Sequence, residues 1–250
     1  WMAIAGDSEA AVRAPSAAAG VATVVLVYLL GRRAGGRAVG LVAALLQAVA
    51  PFAVWAEQQA RMYPFLTLWV VAASLLLARA LEGGWPGAWV AYAGVLALAF
   101  YTHYLAFLLV PVHAAVVAQQ RRWPLVRAWV AAVVLAGILF VPWLPAAVGH
   151  VVSGKGWPAH RPPLSVHAVT DLLGLLVFGG GAFNMGTPFR TGTLPLIYQG
   201  PLLLPVGVLA VGGAVSLRGP ARAAVLAACG IPVLALAVSL RWHIYYARYF

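Results

Sequence analysis

Charged residues and cysteine are both scarce in this sequence. Only 8% of its 250 residues are charged, whereas 64% are hydrophobic and the mean hydropathy is +0.93. Soluble domains carry about a quarter charged residues, so the composition excludes an ordinary soluble domain and predicts a polytopic membrane protein. The single cysteine, Cys229, lies in an apolar run, which excludes a disulfide framework and a thiolate metal cluster.

Motifs that define several other functions are also missing. The sequence contains no P-loop, no GxGxxG after a strand, no HExxH and no GxSxG. It lacks the mid-span acid and base pairs of a proton-coupled pump. The net charge of +11 lies in short loops between apolar segments, which favours membrane topology over nucleic-acid binding as its cause.

Eight segments are apolar and long enough to cross a bilayer, which takes roughly 20 residues. They predict an all-α fold, a transmembrane helical bundle that forms one domain over residues 1–250. The predicted spans are about 15–31, 38–56, 62–81, 85–101, 103–119, 128–148, 195–216 and 221–241. The long segment 149–194 is predicted to be an external loop with a short interfacial helix.

Charge divides the loops into two sets. Alternate loops hold nine basic residues and one acid, Glu82, and the positive-inside rule places them in the cytoplasm. Those basic residues are Arg32, Arg33, Arg37, Arg79, Arg121, Arg122, Arg127, Arg218 and Arg222. We therefore expect Glu57, His103, the loop 149–194 and both chain ends to face outward. Neither end resembles a natural terminus, so we expect a longer protein with at least one crossing before Trp1.

The first polar cluster, in "WAEQQARMY", combines Glu57, Arg61 and Tyr63. Glu57 and Arg61 are four residues apart and can pair on a helical turn, so one interpretation is an interfacial ion pair with Tyr63 in the aromatic belt. The other is a polar pocket, because ionisable groups near hydrocarbon usually mark a site. There Arg61 would bind a phosphate, and Glu57 would orient a cation, an acceptor or Arg61 itself.

The second cluster, in "FYTHYLAF", holds Tyr101, Thr102, His103 and Tyr104. Its simpler interpretation is an aromatic belt at a turn between helices. The alternative gives His103 a chemical role, because a histidine can donate to a phosphate or accept a proton near neutral pH.

Two basic groups complete the predicted outer side. The terminal "RWHIYYARY", with Arg248, is either an interfacial anchor or a second phosphate-binding patch. The polar residues of the loop 149–194 are His150, Lys155, His160, Arg161, His167 and Asp171. Their spacing matches no compact metal-ligand pattern, and a basic lip that captures an anionic headgroup or substrate fits better.

Three stretches carry a family resemblance. They are "GDSEAAVRAPSAAAGVATVVLVYLLGRRAGGR", "WAEQQARMYPFLTLWVVAASLLLARAL" and "FYTHYLAFLLVP". In order and spacing they resemble the bacterial GT-C glycosyltransferases of the protein O-mannosyltransferase and aminoarabinose-transferase type, over residues 5 to about 145. The resemblance implies a multi-pass enzyme of the bacterial inner membrane. It would transfer a sugar from a polyprenyl-phosphate donor to a glycan, lipid or protein acceptor on the extracytoplasmic face.

The resemblance also implies roles for residues. In such enzymes the main catalytic acid lies in the first external loop, which would precede Trp1, so this chain alone is expected to be inactive. The catalytic residues implied within the chain are Glu57 and His103. The implied substrate-binding residues are Arg61, Tyr63, Tyr101, Tyr104 and Arg248. Some relatives use a divalent cation, and the sequence fixes none.

The acids near the start have a structural interpretation. Asp7 and Glu9 match the start of a helix with Ser8 as its cap, and Arg13 is expected either to neutralise Glu9 or to contact the lipid phosphate. A catalytic role for either acid is not expected.

Two other functions stay open at this point. A transporter or flippase of lipid-linked sugars would show internal repeats and polar residues along its mid-span faces, and neither is evident. A non-catalytic membrane scaffold would use Glu57 and Arg61 only for stability.

Overall fold

The computed structural model describes residues 1–83, 85 and 87–152. In this part of the chain every regular element is a helix, which confirms the predicted all-α fold. The predicted spans 195–216 and 221–241 lie outside the described residues, as does the loop 149–194 beyond residue 152. The candidate residues outside them are Lys155, His160, Arg161, His167, Asp171 and Arg248.

Eight α-helices and two 3₁₀ turns make up the described chain. The helices are α1 (Met2–Ala5), α2 (Glu9–Val49), α3 (Pro51–Glu57), α4 (Tyr63–Leu81), α5 (Ala88–Thr102), α6 (Leu109–Gln119), α7 (Trp123–Phe140) and α8 (Leu144–Val152). The 3₁₀ turns are Tyr104–Leu108 and Val141–Trp143. The first six predicted spans lie largely in these helices, and their individual crossings stay predictions.

Three helical stretches are long and apolar enough to span a membrane. They are Glu9–Val49, Tyr63–Leu81 and Trp123–Gly149, with Ala88–Thr102 and Tyr104–Gln119 as shorter apolar helices. A soluble core would not supply this much apolar helix with so little charge. The described chain is therefore part of an all-α membrane bundle.

Helix α2 folds back on itself at two glycines. Gly35 and Gly36 leave the helical conformation, and Gly36 has a φ of 87°, which glycine adopts without steric cost. Beyond them the two arms approach so closely that a Cβ added at Gly31 would lie 3.0 Å from the Cα of Gly40. In a straight helix residues nine apart are roughly 14 Å from each other, so the arms form a hairpin.

The start of α2 follows the local rules that the sequence indicated. The Oγ of Ser8 accepts a hydrogen bond from the N–H of Ala11 at 3.2 Å. Glu9 lies in the first turn, where a negative charge is favoured, and its carboxylate pairs with Arg13 at 2.7 Å. The predicted cap and the predicted ion pair are both confirmed.

A side chain near the start of the chain compensates for the proline inside α2. Pro15 has no N–H, so the carbonyl of Ala11, four residues earlier, loses its helical partner. The indole N–H of Trp1 donates to that carbonyl at 2.5 Å. The bond satisfies an acceptor that the proline would otherwise leave unpaired.

The described residues fall into two compact units, one of which holds Trp1–Leu68 while the other begins at Trp69. The second unit packs α5 against α7. Its fully buried residues include Ala88, Ala93, Ala99 and Ala136. Small residues let membrane helices approach closely, where dispersion rather than water exclusion holds them together.

Four polar side chains form a buried hydrogen-bonded chain in this second unit, and each comes from a different helix. The Nε1 of Trp129 lies 3.2 Å from the hydroxyl of Tyr92, and that hydroxyl lies 3.0 Å from Nδ1 of His113. The Nε2 of His113 lies 3.3 Å from the Oγ of Ser74, which is 2.8 Å from the carbonyl of Val70. We call these four side chains the Trp129–Ser74 chain.

The available protons determine which group donates and which accepts at each hydrogen bond of the Trp129–Ser74 chain. Trp129 can only donate, so the Tyr92 oxygen accepts from it and the Tyr92 proton goes to His113. Nδ1 of His113 then accepts, its Nε2–H donates to Ser74, and Ser74 donates to Val70. The reverse direction would leave the Tyr92 proton without an acceptor among these groups. The chain is therefore fully satisfied with a neutral His113.

Candidate functional site

The segment between α3 and α4 carries the first polar cluster. Helix α3 ends at Glu57, and residues 58–62 form an irregular turn in which the N–H of Arg61 donates to the carbonyl of Gln59 at 2.8 Å. Pro64 lies in the first turn of α4, where its missing N–H costs nothing. Glu57 and Arg61 are therefore not on one helical turn. The ion pair that their spacing allowed is not formed within the described part of the chain.

The Glu57 side chain lies against the backbone of α2. A Cβ added at Gly20 would be 2.5 Å from Oε2 of Glu57 and 2.6 Å from its Cγ, which is closer than real side chains come. Gly20 is buried, and burial raises the pKa of the Glu57 carboxyl above its ordinary value. A partly desolvated carboxylate without a cationic neighbour is a better proton acceptor than one in water.

Arg61 lies four residues further on, at the rim of a cleft. The Oγ of Ser16, which is 3% exposed, donates to the Arg61 carbonyl at 3.5 Å and ties the turn to α2. The cleft has a volume of about 460 Å³. It is lined by Val12, Pro15, Ser16, Ala60, Arg61, Met62 and Phe65. Apart from Ser16 and Arg61 these side chains are apolar.

The charge of Arg61 has no ion-pair partner among the described residues. The side chain is exposed, and no carboxylate of the described residues lies within ion-pairing distance of it. A guanidinium binds phosphate oxygens through two parallel hydrogen bonds. The cleft thus offers a cation beside an apolar wall. Tyr63, two residues later, begins α4 and is half-buried.

The second polar cluster lies at the end of α5, in the second unit. The Tyr101 hydroxyl donates to the carbonyl of Leu139 at 2.8 Å, and its ring contacts Phe140 at 5.3 Å between centroids. Tyr101 therefore joins the end of α5 to the end of α7. Tyr104 opens the following 3₁₀ turn and is 38% exposed.

His103 caps the 3₁₀ turn that follows it. Its backbone is extended, and its Nδ1 accepts a hydrogen bond from the N–H of Leu105 at 3.0 Å, which caps the 3₁₀ turn. Because Nδ1 accepts, the neutral ring carries its proton on Nε2. This tautomer acts as a donor through Nε2, which fits the interpretation of His103 as a phosphate ligand better than that of a base.

The sequence analysis did not predict several residues that contact Glu57, line the cleft or form the buried hydrogen bonds. Gly20, Ser16 and the apolar wall of the cleft were not singled out, nor was the Trp129–Ser74 chain. The sequence did contain a signal for Ser16 and Gly20, because small residues recur at helical spacing along α2. They are Ser16, Ala19, Gly20 and Thr23, and all are buried. Among the described residues no group of three or more His, Cys, Asp or Glu is placed to hold a metal ion.

Comparison with known proteins identifies the class. No curated protein and no solved structure matches the chain. The model of one family, described as dolichyl-phosphate-mannose-protein mannosyltransferase, matches residues 1–145, which is more than half of the chain. That stretch contains both polar clusters, the cleft and the apolar helices. The chain therefore belongs to the dolichyl-phosphate-mannose-protein mannosyltransferase family, and it is a multi-pass membrane glycosyltransferase of the GT-C type.

Proposed function

We propose that this protein transfers a sugar from a polyprenyl-phosphate donor to a lipid, glycan or protein acceptor on the extracytoplasmic face of the bacterial inner membrane. The observation that carries the proposal is the exposed guanidinium of Arg61 at the rim of an apolar cleft. A polyprenyl phosphate has the matching chemistry, with an anionic head and an apolar chain. Family membership supports a donor of this kind.

Arg61 binds the donor phosphate in this proposal. As the bond to the sugar breaks, negative charge grows on the leaving phosphate, and a fixed cation stabilises that charge. The first isoprene units lie along the apolar wall formed by Val12, Pro15 and Phe65. Tyr63, Tyr101, Tyr104 and Arg248 stay candidates for further contacts with donor or acceptor.

Glu57 and His103 have separate proposed roles. Glu57, with its raised pKa and without a cationic partner in the described chain, accepts a proton from the acceptor or orients it. His103 lies in the other compact unit, and its role as a hydrogen-bond donor to a phosphate is a separate proposal that rests on the chemistry of histidine.

The test is sugar transfer by the complete gene product carrying Arg61→Ala. Hydrogen bonds to charged groups contribute about 1.5–3 kcal/mol, so kcat/KM for a polyprenyl-phosphate-linked sugar should fall about 10- to 100-fold. Arg127→Ala is the matched control, because Arg127 is also an exposed arginine but lies at the start of α7.

Three outcomes separate the candidate functions. A lower kcat/KM for the donor with normal membrane insertion supports the enzyme. If Arg61→Ala and Arg127→Ala behave alike in transfer and differ only in protein level, the residue serves stability and the site assignment is wrong. A protein that moves the lipid-linked sugar between leaflets of a vesicle without transferring it is a transporter.

A further inference from the structure

We infer that Gly20 is a positioning residue, which holds the Glu57 carboxyl in place by offering it a helix surface without a side chain. The inference rests on the proposed role of Glu57 and adds a residue to that site. Gly20 lies in mid-helix in the first arm of α2, where no positive φ or turn requires a glycine. The contact with Glu57 is the feature that explains it.

The geometry leaves no room for a larger residue at position 20 while the Glu57 side chain keeps its place. A methyl group at position 20 would overlap the Cγ, the carboxyl carbon and Oε2 of Glu57 together. The clash involves the carboxyl group itself, so relief requires that the carboxyl move away from α2. A Gly→Ala change in a helix interior otherwise favours the helix by about 1 kcal/mol. Gly20→Ala should therefore displace the Glu57 carboxyl and at the same time stabilise α2.

Gly20 shares its face of α2 with Ser16. The two residues are one helical turn apart, and both are buried. Ser16 holds the backbone of the turn at Arg61, and Gly20 lies against the side chain of Glu57. One surface of α2 thus contacts both the carboxyl group and the turn that bears the guanidinium. A shift of the carboxyl relative to that turn changes the geometry in which the acceptor is held.

The experiment measures sugar transfer by the complete gene product carrying Gly20→Ala. A displacement of about 1 Å in a reacting group costs up to about 100-fold in rate, so kcat should fall about 10- to 100-fold. The donor KM should stay within about twofold, because Arg61 keeps its place. A merely structural effect would lower the amount of folded protein and leave kcat per folded molecule unchanged.

Two comparisons show whether Gly20 acts through Glu57. In a Glu57→Ala background, Gly20→Ala should change kcat by less than about twofold, because the group that it displaces is already gone. Gly94→Ala is the matched control, since Gly94 lies inside α5 with nothing within 4 Å of an added Cβ. It should leave kcat unchanged.

The outcomes separate this inference from the proposed function. If Glu57→Ala itself leaves transfer intact, the proposed role of Glu57 fails. If Glu57→Ala impairs transfer but Gly20→Ala does not, or if the two losses multiply, the positioning role is wrong. Should Gly20→Ala alone fail to insert, recovery of insertion by adding Glu57→Ala supports the contact. Continued failure of the double variant overturns it.

Discussion

Glu9 and Glu57 carry the same side chain in opposite surroundings. Glu9 is exposed at the first turn of α2 and is neutralised by Arg13 at 2.7 Å. Glu57 lies against Gly20, and burial raises the pKa of its carboxyl. An exposed ion pair contributes at most about 1 kcal/mol, whereas a partly buried carboxylate is costly for the fold. Such a cost is common at functional sites.

The pKa of Glu57 predicts opposite effects on stability and on activity. Because the folded state raises this pKa, the protonated form favours folding. The stabilising contribution of protonated Glu57 is present at pH values below its ordinary pKa. It is lost as the pH rises through the raised pKa of the folded state. Glu57→Gln should therefore leave the Tm at pH 7 equal or higher. It should lower turnover about 100-fold, the usual contribution of a general base.

The measurements for Glu57→Gln are melting in detergent and sugar transfer, both from about pH 4 to 8. The Tm difference from the unsubstituted protein should vanish at the acid end, where Glu57 is itself neutral. Glu9→Gln is the control, and it should keep its turnover and lose a few tenths of a kcal/mol of stability. A lower Tm with full turnover for Glu57→Gln would make Glu57 a structural residue.

Helices α4, α5, α6 and α7 are joined by hydrogen bonds that cross from one to the next. The Trp129–Ser74 chain takes one side chain from each, and all its donors and acceptors are used. In a bilayer an apolar side chain gains little by facing another helix instead of lipid. Buried hydrogen bonds therefore help to fix which helix faces meet. The Tyr92 hydroxyl takes part in two of these bonds, one to Trp129 and one to His113.

Tyr92→Phe should destabilise the packing of these helices. It leaves the Trp129 N–H without its acceptor and the His113 Nδ1 without its donor. Interhelical hydrogen bonds in membranes average about 0.6 kcal/mol each, so the free energy of unfolding should fall by about 1–2 kcal/mol. Unfolding in mixed detergent micelles measures this. Tyr104→Phe, at a partly exposed position, should change it by less than about 0.5 kcal/mol.

The two ends of the α2 hairpin differ in charge. Its turn carries Arg32, Arg33 and Arg37, and the opposite end meets Glu57 and the turn at Arg61. From the turn to Gly20 the first arm runs about 16 residues, or roughly 24 Å. This is near the thickness of the hydrocarbon core. The positive-inside rule predicts that the turn faces the cytoplasm and that Glu57 faces outward.

Cysteine labelling tests that orientation for the whole molecule. In a cysteine-free background that includes Cys229→Ser, Gln58→Cys should react with a membrane-impermeant maleimide added to intact cells. Ala38→Cys, beside the basic turn, should react only after the membrane is opened; both positions are exposed. The reverse pattern would place the Glu57 end in the cytoplasm and refute the proposed extracytoplasmic site.

The sequence by itself determined the features that depend on composition or on neighbours along the chain. Low charge and long apolar segments predict membrane helices, because hydrocarbon excludes unpaired backbone groups. The Ser8 cap and the Glu9–Arg13 pair follow from residues three and four apart, whose distances a helix fixes. The same rule failed for Glu57 and Arg61, because α3 ends at Glu57 and the chain turns before Arg61.

Only the tertiary structure decided which distant residues meet. Gly20 and Glu57 are 37 positions apart, and His113 is 39 from Ser74. Such contacts depend on where α2 turns back and on which faces of the helices pack, and neither follows from a local pattern. The local sequence around a glycine or a histidine in a span is the same whichever helix packs against it. The close approach of Gly20 to Glu57 exists only once the helices have packed.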